Sequence, residues 1–230
     1  VPSHRPRSGK HQPFGLGILH EDRDVIVVNK APGLLSIGTG SDGGRTAHAS
    51  LTDYVKKGNP KSRERVFIVH RLDRETSGVL VFARTEEAKR TLMMNWGDTE
   101  KHYLAIIEGH PDPPVGLISS YLIESESMRV YSTNDTERGK LSETEYRVLK
   151  TLGSRALIEL RLLTGRKHQI RVHLADNKWP IVGDDKYGRN TRNEKGLALH
   201  SHRLSFDHPY RGNRVEFTAP PPDHFHRILG

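Results

Sequence analysis

Residues Val69 to Phe82 read Val-His-Arg-Leu-Asp-Arg-Glu-Thr-Ser-Gly-Val-Leu-Val-Phe. Two apolar runs flank a polar hinge that holds His70, Arg71, Asp73, Arg74, Glu75, Thr76 and Ser77 and ends at Gly78. Asp73 stands among cations, with Glu75 the only other acid nearby. Neighbouring positive charge favours the ionised form of a carboxylate. An aspartate held ionised is a poor general acid but a serviceable nucleophile or base. Its setting suits an anionic ligand.

A second constellation runs from Thr164 to Leu174, Thr-Gly-Arg-Lys-His-Gln-Ile-Arg-Val-His-Leu. Its pattern predicts a helix that begins at Thr164 or Gly165 and runs through about Asp176. On that helix Arg166, Lys167 and Arg171 fall within about two turns, and Lys167 and Arg171 share a face. A helix start favours anions. His168 and Gln169 add neutral donors beside the charges, a mixture suited to phosphates and base edges.

Other chemistries fit less well. His168 and His173, or His200 and His202, lack a carboxylate or thiolate at metal-ligand spacing, so no metal is expected. Ser77, His70 and Asp73 supply the residue types of a serine triad, but no nucleophile elbow surrounds Ser77. A two-carboxylate glycosidase needs a second acid, and Glu75 is the only near candidate.

The elements that must position these groups can be read from apolar patterning. Val25 to Val28 is a buried strand ended by Lys30-Ala31-Pro32-Gly33. Thr46 caps a helix through Lys57, which Gly58 and Pro60 stop. Strands flank the Asp73 hinge. Thr85 caps a further helix with Glu86 and Glu87 in its first turn. Lys101 to Glu108 and Ala156 to Leu163 read as strands, with residues 109–150 mostly hairpins and loops. Leu197 to Phe206 and Arg214 to Phe217 close the sheet. Many strands, few helices and no regular βαβ alternation predict an α+β fold. Its sheet is largely antiparallel or mixed. Residues 1–13 form a flexible basic tail, and residues 14–230 a single catalytic domain. Gly38 to Gly44 is a mobile loop that matches neither a P-loop nor a dinucleotide fingerprint.

Composition narrows the partners. The 230 residues carry a net charge of +8 before any contribution from 14 histidines, with a pI near 9.7. Such a domain favours polyanions. No apolar run approaches a membrane span, and no secretory pattern opens the chain. Absence of cysteine excludes disulfides, thiolate metal sites and cysteine nucleophiles, and fits a reducing, cytoplasmic setting. The chain starts at Val1 rather than Met, with no recognisable RNA-binding module before Ile18, so a preceding module could have been trimmed.

Together the blocks resemble the RluA-type pseudouridine synthases, over essentially residues 18 to 219. His70-Arg71-Leu72-Asp73 with Thr76-Ser77-Gly78 is similar to that family's catalytic signature. Lys101-His102-Tyr103 to Gly109 resembles its tyrosine strand, and Thr164 to His173 its basic block. Ile18 to Leu34, Pro180 to Gly188 and Leu199 to Pro209 resemble its opening and closing motifs. Two local departures lie outside the aspartate signature. Lys30-Ala31-Pro32-Gly33 reverses the usual Pro-Ala order, and Ser201 replaces the usual alanine after Leu199-His200.

The resemblance implies a bent sheet flanked by a few helices, with a central basic cleft, and isomerisation of uridine in ribosomal or transfer RNA, with no cofactor. It implies that Asp73 is the essential catalytic residue, as nucleophile or as base. Tyr103 then stacks on the uracil, Arg171 pairs with Asp73, and Leu199 packs near the base. Arg71 fills the space that the flipped uridine leaves. His70, Arg74, Arg166, Lys167, His168 and Gln169 join it in contacting RNA. A monomer without metal or membrane attachment is expected. The alternative is a catalytically silent RNA-binding module of the same fold, against which intact Asp73, Tyr103 and Arg171 speak.

Overall fold

The computed structural model describes residues 12–38, 45–188 and 196–229. Most of the expected basic tail and of the glycine-rich loop lies outside the described residues. In chain order the elements are β1 (Leu16–Glu21), β2 (Val25–Lys30), α1 (Ala47–Val55), β3 (Phe67–Ile68), β4 (Ser77–Ala83) and α2 (Glu86–Met94). There follow β5 (Glu100–Glu108), β6 (Val115–Glu124), β7 (Val130–Thr133), β8 (Lys140–Leu152) and β9 (Arg155–Leu162). The chain closes with α3 (Gln169–Asp176), β10 (Leu199–Asp207), β11 (Arg214–Thr218) and α4 (Asp223–Leu229). The α+β expectation holds. No helix among the described residues is long and apolar enough to cross a membrane.

Two compact units divide the chain, residues 1–99 with 204–220, and residues 100–203 with 221–230. In the first, β2 pairs antiparallel with both β1 and β4, and β3 with β4. Val25, Val27, Val79 and Val81 form one core with Ala88 and Leu92 of α2. The alternate residues Ile26, Val28, Leu80 and Phe82 are buried as well. Burial on both faces explains why these strands read as unbroken apolar runs. The helix caps form as expected: Thr46 and Thr85 accept the N–H groups of Ala49 and Ala88.

In the second unit the strand order is β5-β9-β8-β6-β7, antiparallel throughout. Residues 109–150, expected as hairpins and loops, therefore carry much of a sheet. Helix α3 lies against it, and its Val172 packs with Leu122, Val130 and Tyr187.

The start of α3 differs from expectation. His168 has φ +53, a left-handed conformation that no helix continues through, so the helix begins at Gln169. The Gln169 amide supports the loop before it. Its oxygen accepts from the Thr164 hydroxyl and the Arg166 N–H, and its nitrogen donates to the Glu143 carbonyl and Thr144 Oγ1. Arg166 and Lys167 consequently sit on a shaped loop, and the expected helix-face pairing of Lys167 with Arg171 is replaced.

Beneath this loop a polar chain runs outward. Thr144 Oγ1 receives the Gln169 N–H and shares a hydrogen bond of 2.9 Å with His173 Nδ1. His173 Nε2 in turn shares a hydrogen bond of 3.1 Å with Ser120 Oγ. Burial pushes the His173 pKa down to about 4, with Asp176 opposing. The folded protein resists protonation that the unfolded imidazole accepts near 6.5, so stability falls as pH drops through that window. The expected loss is about 3 kcal/mol between neutral pH and pH 4. Urea unfolding of wild type and His173→Gln measures it: the variant should show a shallower acid decline. Parallel declines would remove His173 from this role.

Candidate active site

Asp73 lies on the loop between β3 and β4, half-buried, and the backbone carbonyls of Leu72, Asp73 and Arg74 are each held by a hydrogen bond. Ser36 Oγ donates to the Leu72 carbonyl at 2.7 Å and accepts the Leu72 N–H at 3.0 Å. The Asp73 carbonyl accepts from Thr76 N–H, and the Arg74 carbonyl from Gly33 N–H. Lys30 supplies the strongest support. Its side chain is 0% exposed, and Nζ donates to the carbonyls of Ala31, Leu34 and Arg74 at 2.8–3.0 Å.

Register explains that placement. Lys30 stands opposite Gly78, where the hinge enters β4. Gly78 has φ +111, a conformation closed to side-chain-bearing residues. Burial lowers the Lys30 pKa to about 8, while Glu75 and Asp73 hold it up. A buried cation thus lies under the hinge and attracts both of its carboxylates.

His70 faces inward. Its Nε2 accepts the Val81 N–H at 3.1 Å, and its ring lies 4.6 Å from Trp96. Arg71 and Arg74 are exposed on the same hinge.

Tyr103, Arg171 and Leu199 belong to the second unit. Alternation on β5 places Lys101 and Tyr103 together on a buried face, and Tyr103 is 8% exposed. Leu199 is buried in β10. Gln169, expected among the RNA contacts, is 2% exposed with its amide engaged as described.

Arg171 is gripped by a residue that the sequence reading did not single out. Its Nε and Nη2 each donate to Asp184 at 2.8 Å in a two-pronged pair. The side chains are 11% and 1% exposed. Asp184 also accepts the N–H groups of Lys186 and Tyr187. Burial works to raise its pKa, but the Arg171 guanidinium and the Tyr187 and Lys186 N–H groups together outweigh burial and leave the carboxyl below its ordinary range. The Pro180–Asp184 stretch is laid along β5 by backbone bonds between Val182 and Ile106 and between Glu108 and Pro180. Gly183 makes this possible: a Cβ there would meet the Gly196 carbonyl oxygen at 2.0 Å.

Among the described residues, one cluster elsewhere has metal-ligand residue types. Side-chain atoms of Asp22, Asp24 and His208 lie within 4.8 Å of one another. His208 Nδ1, however, accepts the N–H groups of Tyr210 and Arg211. The ring hydrogen therefore sits on Nε2, which donates to Asp22 at 2.9 Å and has no lone pair for a metal.

Comparison with known proteins places this geometry in context. Residues 24–176 match the family model described as RNA pseudouridylate synthase. The chain is 34% identical to ribosomal large subunit pseudouridine synthase D of Zymomonas mobilis, over 96% of this chain and 74% of that protein. It is 36% identical to the dual-specificity RNA pseudouridine synthase RluA of Escherichia coli, over 89% of this chain and 93% of the relative. The solved structure of human RNA pseudouridylate synthase domain containing 4 superposes with a TM-score of 0.75 at 27% identity, covering 92% of each chain.

Proposed function

Because the chain belongs to the RNA pseudouridylate synthase family, we propose that it isomerises particular uridines in ribosomal or transfer RNA, with Asp73 as the essential carboxylate. The observation that carries this reading is the pinned hinge. Leu72, Asp73 and Arg74 have their backbone held by Ser36, Thr76, Gly33 and Lys30, so the carboxylate is set before substrate arrives. Preorganised charge is the commonest large contribution to catalysis. One relative is named for the large ribosomal subunit and another for dual specificity, which supports the substrate class.

In this reaction the bond from ribose C1′ to uracil N1 breaks and a bond from C1′ to C5 forms. N1 gains a proton, and C5 loses one. Asp73 attacks a carbon or removes a ribose proton. Tyr103 stacks on the uracil and assists departure of the C5 proton. Arg171, aimed by Asp184, supplies positive charge. Leu199 packs near the base. The uridine leaves the RNA stack at a cost of a few kcal/mol. The exposed guanidinium of Arg71 fills the vacancy by stacking and hydrogen bonding. Arg74, Arg166, Lys167 and His168 contact RNA, while His70 and Gln169 shape the loops that carry them. Residues 14–230 act as one catalytic domain, as a monomer in the cytoplasm. Mapping of pseudouridines in cellular RNA with and without the protein tests the reading. A defined set of ribosomal or transfer RNA positions should revert to uridine; unchanged maps would overturn it.

A further inference from the structure

Three cations converge on one tyrosine of the second unit. Arg129 Cζ and Arg171 Cζ each lie 5.1 Å from the Tyr187 ring centroid, and Lys186 Nζ lies 5.9 Å away. The ring itself is fixed. Its hydroxyl accepts the Val130 N–H at 3.2 Å and bonds His168 Nδ1 at 2.8 Å.

The turn between β6 and β7 is strapped to this cluster. It is closed by bonds between Ser125 and Arg129, and Lys186 Nζ donates to its Met128 carbonyl at 2.9 Å. The strap returns to the Asp184 turn that holds Arg171. Arg129 is therefore presented on a rigid turn, with its guanidinium beside Lys186.

Charge around the tyrosine does not balance. Asp184 pairs with Arg171, and Glu124 with Lys167. Among the described residues no carboxylate lies within ion-pair distance of Arg129 or Lys186. Burial and then the like charges of Lys167, Arg171 and Arg129 lower the Lys186 pKa against the opposing pull of Glu124, so the cations repel one another where they stand. Crowding of this kind is relieved by a polyanion. A groove of about 320 Å³ beside Lys167 is lined by Arg166, Lys140 and Arg138, with Glu124 the one acid on its wall.

We propose that Arg129, Lys186 and Lys167 form a cradle for a backbone phosphate of the substrate RNA, strapped to the loop that aims Arg171. The proposal rests on the reading of the chain as an RNA-modifying enzyme. It names a phosphate rather than a base because the cradle offers cationic donors from an arginine and two lysines. Binding there would hold the RNA and the Arg171 loop in one frame.

Arg129→Gln tests it, since the turn is closed by the Arg129 backbone rather than its side chain. RNA affinity of the full chain is measured across a salt series, on an RNA that the wild type modifies. The expected result is a loss of about three- to tenfold in affinity near 0.1 M salt, with the log–log salt slope reduced by about 1. KM should rise by the same factor, and Arg129→Lys should restore most of the binding. Unchanged affinity and slope in Arg129→Gln would overturn the cradle, as would an affinity loss accompanied by a lower melting temperature. Failure of the wild type to form pseudouridine in any RNA would instead overturn the catalytic reading.

Discussion

An Asp73→Asn variant should fold as the wild type does and lose at least about 10³-fold in single-turnover pseudouridine formation. Folding survives because the hinge is held through its main chain: Ser36 grips Leu72, Thr76 the Asp73 carbonyl, and Gly33 with Lys30 the Arg74 carbonyl. What the substitution removes is the charge. Neither attack on a carbon nor removal of a proton is available to an uncharged amide. A second signature should accompany the first. Asp73 and Glu75 both help keep Lys30 protonated against burial, so loss of one carboxylate lets the lysine pKa slip further below its value of about 8. Rates in the variant within about tenfold of wild type would take Asp73 out of the chemistry.

Removal of Asp184 should have the largest effect on stability. Arg171 would lose its two-pronged acceptor while remaining 11% exposed. Breaking one side of a buried pair costs about 3–5 kcal/mol, and the Lys186 and Tyr187 N–H groups lose their acceptor too. Urea unfolding of Asp184→Ala reads this directly. The pH dependence has a definite sign. Because the folded carboxyl titrates below its ordinary value, the pair contributes its full stability above about pH 4. That contribution fades as pH falls through the lower folded pKa. The alanine variant should lack this acid-sensitive part. Arg171→Lys separates positioning from stability, since it keeps the charge and loses the planar fork. Its turnover should fall more than about tenfold, with a melting temperature close to wild type. Wild-type stability in Asp184→Ala would show that the pair carries no such weight.

Much of this is legible in the amino-acid sequence. Asp73 announced itself by its cationic neighbours, and the Val25 and Val79 strands by their apolar runs. Lys30 did not, because an Asn-Lys pair after four apolar residues reads as the end of a strand. Only its register opposite Gly78 carries the amine under the hinge. Asp184 was hidden by its twin, Asp185. Gly183, pressed against the Gly196 carbonyl, turns the first inward, while Asp185 is exposed. Strand β8 escaped notice because two of its inward positions are Ser142 and Thr144, buried polar residues that interrupt the apolar alternation. The late start of α3 came from His168, whose left-handed backbone is invisible to periodicity.

The central claim is that this chain rearranges uridine without releasing it. The most direct measurement incubates the protein alone with ribosomal and transfer RNA, digests the RNA to nucleosides, and quantifies pseudouridine and free uracil by mass spectrometry. Pseudouridine is expected with the wild type, none with Asp73→Asn, and no uracil with either. Uracil release by the wild type, or pseudouridine formed equally well by the variant, would contradict it.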